Sequence, residues 1–186
     1  MEPLLTRINN QCTTASKRII IGIDPGSRIT GYGVIWSQES KQGCITFGQI
    51  KTNFKSLNLR LQEIDEGLRH IMAIYQPQEA AIEQVFIFHN PQSALKLGQA
   101  RGAALVATAS RALPVTEYSA RQIKQAIVGY GAATKIQVQH MVRMLLQLVK
   151  SPPADAADAL AIALCHARIQ RLSERLMQIE KKGTQV

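Results

Sequence analysis

The sequence predicts an α/β domain, a mixed five-stranded sheet flanked by helices. Three observations carry that expectation. Short apolar runs bounded by Pro and Gly, such as Ile19–Ile23 ahead of Pro25-Gly26, have strand length. Leu57, Leu61, Ile64, Leu68, Ile71 and Met72 recur at helical spacing. The order along the chain is three strands, helix, strand, helix, strand, then helices.

The elements follow in turn. Arg18 to Asp24 reads as the first strand, and Pro25-Gly26 forces a turn after it. Ile29 to Trp36 is a second strand whose Gly31 and Gly33 keep one face small, and Gly43 to Ile50 closes an antiparallel meander. Leu57 to Tyr75 is an amphipathic helix that Pro77 ends. Glu79 to Val85 is a short buried strand. Asn90-Pro91 opens a helix to about Arg111, rich in Ala94, Gly98, Ala100, Gly102, Ala103 and Ala104. That small-residue surface fits close helix packing, in the core or across a dimer interface. Leu113 to Glu117 is the fifth strand. Ser119 caps a helix to Val128, Gly129-Tyr130-Gly131 breaks it, and Thr134 caps another to about Val149. After Ser151-Pro152-Pro153 a last helix runs from Asp155 to about Ile179. Residues 1–17 read as a flexible polar extension, 18–175 as one domain and 176–186 as a polar tail.

Bulk composition narrows the function. Lys and Arg number 22 against 13 Asp and Glu, for a net charge of +9, and the pI is about 9.8. Such a balance favours a polyanionic partner, foremost nucleic acid. The bias is concentrated. Between Glu83 and Asp155 stand eight basic residues (Lys96, Arg101, Arg111, Arg121, Lys124, Lys135, Arg143 and Lys150) and one acid, Glu117, a formal +7. Cys12, Cys44 and Cys165 are widely spaced and form no CxxC, which argues against a disulfide framework or zinc site and fits a reducing, cytoplasmic location. No apolar run approaches the roughly 20 residues of a membrane span.

Four carboxylates stand out against this basic background. Asp24 ends an apolar strand, where it serves either an Asx-turn or a functional site. Glu83 follows Ala80-Ala81-Ile82, a costly position for a charge unless it is ion-paired or metal-bound. Asp155 and Asp158 share a face at the start of a helix, where ordinary capping also accounts for them. Gathered together, the four fit a two-metal nuclease, in which Mg²⁺ ions about 3.5–4 Å apart activate water and stabilise the leaving oxygen. His70, His140 and His166 read as packed residues between surface and core, and His89 as a loop residue or a phosphate contact. Phe86 fits core burial or, in a loop, stacking on an unpaired base. The glycines from Gly22 to Gly33 lack the Lys-Ser/Thr of a P-loop and fit a tight hairpin and close approach of a DNA backbone.

Six collinear segments resemble the RuvC family of bacterial Holliday junction endonucleases. They are Ile21 to Gly33, Ala81 to Phe86, Ser93 to Gly102, Ala120 to Gln125, Gln137 to Val142 and Ala154 to Ala161. The resemblance implies a ribonuclease-H-like fold, a homodimer, and Mg²⁺ or Mn²⁺ as cofactor. It places Asp24, Glu83, Asp155 and Asp158 on the catalytic acids and Phe86 on the aromatic that stacks at the junction centre. Lys124 and Lys135 fall on basic positions linked to DNA binding and catalysis, and Arg121 is a further DNA-binding candidate. It further implies paired nicking of four-way junctions in recombination and repair, a thymine-containing cleavage preference, and the RuvA and RuvB branch-migration proteins as partners. Family members usually begin almost at their first strand, and some carry histidine where Asp155 stands. Two other classes share parts of this pattern: a junction-binding scaffold without turnover, and a sugar-kinase- or actin-like ATPase, which needs two such domains and far more chain.

Overall fold

The computed structural model describes residues 16–84 and 91–183. Five strands form one sheet: β1 (Arg18–Asp24), β2 (Ile29–Gln38), β3 (Lys41–Lys51), β4 (Glu79–Glu83) and β5 (Val115–Tyr118), in the order β3-β2-β1-β4-β5. The first three make an antiparallel meander, and β4 and β5 add in parallel to β1. Five helices complete the architecture: α1 (Leu57–Tyr75), α2 (Pro91–Ala109), α3 (Ala120–Val128), α4 (Lys135–Leu145) and α5 (Ala154–Gly183). The five-stranded mixed sheet flanked by helices is the fold the sequence predicts. Helix α5 continues to Gly183, so the segment expected as a polar tail is helical that far.

Strand alternation sorts the core into two layers. Ile21 and Ile23 of β1 and Val34 of β2 pack with Ile64, Leu68 and Met72 of α1 and the small residues Ala100, Ala104 and Ala107 of α2. Ile20 and Ile35 face the other way, onto α5 (Leu160, Ile162 and Leu164) and the α3–α4 pair (Ile123, Ile127 and Val142). Side chains this fully buried contribute about 1.5–3 kcal/mol each relative to exposure. Local signals set the helix ends. Ser119 and Thr134 both form capping boxes, with Gln122 and Gln137. Gly129, at φ 96°, ends α3.

The closest packing in the molecule decides where the acids lie. A Cβ on Gly22 would stand 2.0 Å from the Ala159 carbonyl oxygen, and one on Gly31 would stand 2.0 Å from that of Asp155. The backbone of α5 therefore lies directly on β1 and β2. These glycines admit a helix of the same chain, and the expectation that they admit a DNA backbone is corrected at Gly22 and Gly31.

Candidate active site

Asp24 and Glu83 are the last residues of β1 and β4, two strands that run parallel and therefore end on the same side of the sheet. Helix α5 begins at that side, and its contact with Gly31 sets Asp155 beside β2. Asp158 follows one turn later on the same helix face. Four acids separated by up to 134 positions in sequence thus meet at one end of the sheet.

Their electrostatics register the meeting. Burial, then the charges of Asp158, Glu83 and Asp155, push the Asp24 carboxyl up to about 7. Glu83 is also raised, by burial and by Asp158. Two cations work against this crowding. Lys135, which immediately follows the helix cap Thr134, sets its Nζ 2.6 Å from Asp158 Oδ2 and favours the charged forms of Asp24 and Glu83. Lys124 adds to the effect on Glu83. Hydrogen bonding to Asp158 raises Lys135 in return. A cleft of about 280 Å³ lies between them, lined by Glu83, Lys124, Lys135, Asp158, Ile123 and Val138.

Each acid's surroundings bear on its simpler explanation. The turn after Asp24 is held by Thr30, whose Oγ1 donates to the Gly26 carbonyl at 3.0 Å and accepts from its N–H at 3.3 Å. Asp155 Oδ2 accepts from Gln49 Nε2 at 2.6 Å, and Asp158 faces Lys135. Both helix acids thus engage partners on other elements. Among the described residues, no three acidic, His or Cys side chains are already drawn into metal-ligand spacing. The donor chemistry nonetheless suits a hard divalent cation: only carboxylate oxygens, mutually repelled, with an ammonium group standing where positive charge is required.

The other expected residues fall as follows. Arg121 is exposed at the start of α3, its stem across Gly131. Phe86 and His89 lie outside the described residues. His70 and His140 are exposed rather than packed, because both point from the solvent faces of their helices. His166 is 2% exposed. Its Nδ1 shares a proton with Tyr118 Oη at 2.9 Å, and its Nε2 lies 2.7 Å from Glu79 Oε2. Sequence reasoning passed over this network and over Gln49. The signal for Gln49 was its place in a strand opposite the small Gly31, a gap that only the register exposes.

Comparison with known proteins gives the family. The pattern defining the family "Crossover junction endodeoxyribonuclease RuvC" matches residues 20–166. A Coxiella burnetii protein of that name (strain Dugway 5J108-111) is 77% identical over 168 residues, covering 90% of this chain and 96% of its own. One from Tolumonas auensis is 56% identical, covering 85% and 91%. Among solved structures, Thermus thermophilus RuvC in complex with Holliday junction substrate superimposes with a TM-score of 0.79 at 35% identity, over 84% of this chain and 96% of that one. The yeast mitochondrial Holliday junction resolvase Ydc2 shares the fold, with a TM-score of 0.63 at 12% identity. The chain belongs to the RuvC family of crossover junction endodeoxyribonucleases.

Proposed function

We propose that this protein resolves Holliday junctions in recombination and DNA repair, nicking two opposed strands of a four-way DNA junction by metal-dependent hydrolysis. The observation that carries the reading is the meeting of Asp24, Glu83, Asp155 and Asp158 at one end of the sheet in a basic protein. Pure DNA binding gains nothing from four anions beside a phosphate.

Asp24, Glu83, Asp155 and Asp158 would hold Mg²⁺, two ions per subunit, with Mn²⁺ able to substitute. Bound there, the cations supply Lewis-acid activation of water and offset charge on the leaving oxygen. The chain's own residues do the rest. Gln49 fixes the orientation of Asp155. Lys135 favours the ionised, ligating forms of Glu83 and Asp24, Lys124 does so for Glu83, and both oppose charge that develops on the phosphate. Arg121, exposed on the same helix as Lys124, contributes to DNA binding. Phe86, three positions after Glu83, is assigned to stack on an unpaired base at the opened junction centre. The products carry 5′-phosphate and 3′-hydroxyl ends.

A homodimer supplies the two sites that paired nicking requires. Helix α2 supports it: Leu95 and Val106 are 64% and 59% exposed, and Gly98 and Gly102 have open space where a side chain would stand. The cellular setting is the cytoplasm, with RuvA and RuvB as partners, on the strength of the family resemblance. Among the described residues no helix is long and apolar enough to cross a membrane.

The test uses a synthetic mobile four-way junction, labelled on each strand, with Mg²⁺. Wild type gives paired symmetrical nicks, and Asp24→Asn binds the junction without nicking it. Binding by both proteins with no nicks in Mg²⁺ or Mn²⁺ would make this a junction-binding protein instead.

A further inference from the structure

A second cavity, of about 550 Å³, opens at the same end of the sheet as the four acids. It is lined by Arg28, Lys51, Lys55 and Arg60 together with the apolar Ile29 and Phe54. No carboxylate lines it. Among the described residues none of the four cations is ion-paired, whereas Arg18, Arg69, Arg101 and Lys135 all are. Glu63 accepts the N–H of Asn53, a residue of the lining, at 2.9 Å. Arg28, Lys51 and Lys55 are exposed, and Phe54 is 51% exposed, a large aromatic set among cations. Arg60 is half-buried, its Nε enclosed and without a hydrogen-bond partner.

The cavity is fastened to the catalytic turn. Thr52 N–H donates to the Arg28 carbonyl at 2.9 Å, and its Oγ1 donates to the Ser27 and Arg28 carbonyls, each at 3.2 Å. Arg28 is four residues from Asp24 along that turn. On the neighbouring strands, Gly31 pairs with Gln49, which holds Asp155, and Ile29 pairs with Lys51. Two residues of strand separate those levels, about 7 Å. Phosphates of one DNA strand recur about every 3.4 Å along the helix axis. A strand whose scissile phosphate lies at the acids therefore brings a phosphate one to three nucleotides away to this cavity.

From this placement we infer that Arg28, Lys51, Lys55, Arg60 and Phe54 form a second DNA seat. It grips the backbone of the cleaved strand beside the scissile phosphate and stacks Phe54 on a base or sugar there. Cations bound to phosphates release counterions, and an exposed aromatic adds salt-independent contact, so the two contributions are separable. The inference rests on the junction-cleaving reading above.

The experiment measures junction binding against salt concentration in EDTA, and single-turnover nicking in Mg²⁺ at saturating protein. The Lys51→Ala/Lys55→Ala double variant should lower the slope of log K against log salt by about 2. Phe54→Ala should weaken binding at least five-fold with the slope unchanged. Arg171→Ala/Arg175→Ala, which removes the same charge about 25 Å along α5 from Asp155 and Asp158, should leave the slope unaltered. A neutral methylphosphonate one to three nucleotides from the nick should weaken wild type but not the double lysine variant. Slopes equal to wild type in the lysine variant, or equal losses from methylphosphonate in both proteins, would overturn the inference. Thermal melting confirms that each variant is folded. A wild type that neither binds nor nicks junctions would instead sink the functional reading itself.

Discussion

Replacing Asp24 by Asn should stabilise the metal-free protein at alkaline pH even as it abolishes nicking. The Asp24 carboxyl titrates near 3.8 in the unfolded chain and at about 7 in the fold, through burial and the charges of Asp158, Glu83 and Asp155. The folded state thus holds the proton more tightly than the unfolded one. Stability from this group is fully present below about pH 3.8 and is lost as pH rises through about 7. Three units at about 1.4 kcal/mol each give a ceiling on the order of 4 kcal/mol. The clustered acids share protons, so the part that Asn recovers is smaller, and at least about 1 kcal/mol is expected. In a chain of this length that is a rise of roughly 2–4 °C in Tm. The assay is thermal melting in EDTA from pH 5 to pH 8, read as the difference between Asp24→Asn and wild type, which cancels the titrating groups outside the acid cluster. The difference should grow in favour of the variant across that range. Mg²⁺ should then raise the melting temperature of wild type more than that of the variant, since it binds the folded acids. A variant less stable than wild type by the same amount at pH 5 and pH 8 would refute the claim that these carboxylates repel one another in the fold.

Three further outcomes follow from other parts of the molecule. Lys135→Ala removes the cation against Asp158, so nicking should fall at least ten-fold and need higher pH, with partial recovery in Lys135→Arg, checked by single-turnover pH profiles. Gly22→Ala drives a methyl into the α5 backbone and should cost on the order of 3 kcal/mol by urea denaturation, whereas Gly98→Ala meets nothing within 4 Å in a single subunit, so that loss of dimer by Gly98→Ala in sedimentation would locate the subunit contact on α2. Burial lowers the His166 pKa below 6.5, so its contribution is complete above pH 6.5 and is lost as pH falls through the lowered folded value. His166→Phe, which strands Tyr118 Oη and Glu79, should cost about 1–3 kcal/mol at pH 8 and less at pH 5 by the same denaturation assay.

Periodicity and punctuation made most of the fold legible. The limits of β1 and α1, and the caps Ser119 and Thr134, could be read from residues that act locally, through alternation and side-chain hydrogen bonds. Ends set by tertiary contact were harder. Helix α4 stops at Leu145, short of Val149, because the chain turns back there: Gln147 takes φ 52° and the Leu148 N–H returns to the Arg143 carbonyl at 3.0 Å. The candidate acids were legible because an ionised group at the end of an apolar run conflicts with its surroundings. Gln49 and His166 presented no such conflict. A polar residue on a half-buried strand and a histidine in an alanine-rich helix become informative only when the register supplies Asp155 for one and Tyr118 and Glu79 for the other.

The glycines of β1 and β2 show how far a single-chain reading reaches and where it turns. The small face they create is visible in the sequence, but the sequence does not say what fills it. In the fold the occupant is the α5 backbone, at a separation no side chain would permit. That contact draws the first turn of α5 against β2, the strand that leaves the Asp24 turn. The acids are therefore brought together by the absence of side chains as much as by the carboxylates themselves. The energy that holds four like charges at one end of the sheet comes from the apolar layers of β1, β2 and α5 behind them. The same arrangement leaves the site electrostatically unfinished, with Lys135 engaging one acid of the four. A rigid frame that enforces repulsion until a cation arrives is what the proposed metal site requires, and that proposal accounts for carboxylates that are costly to folding.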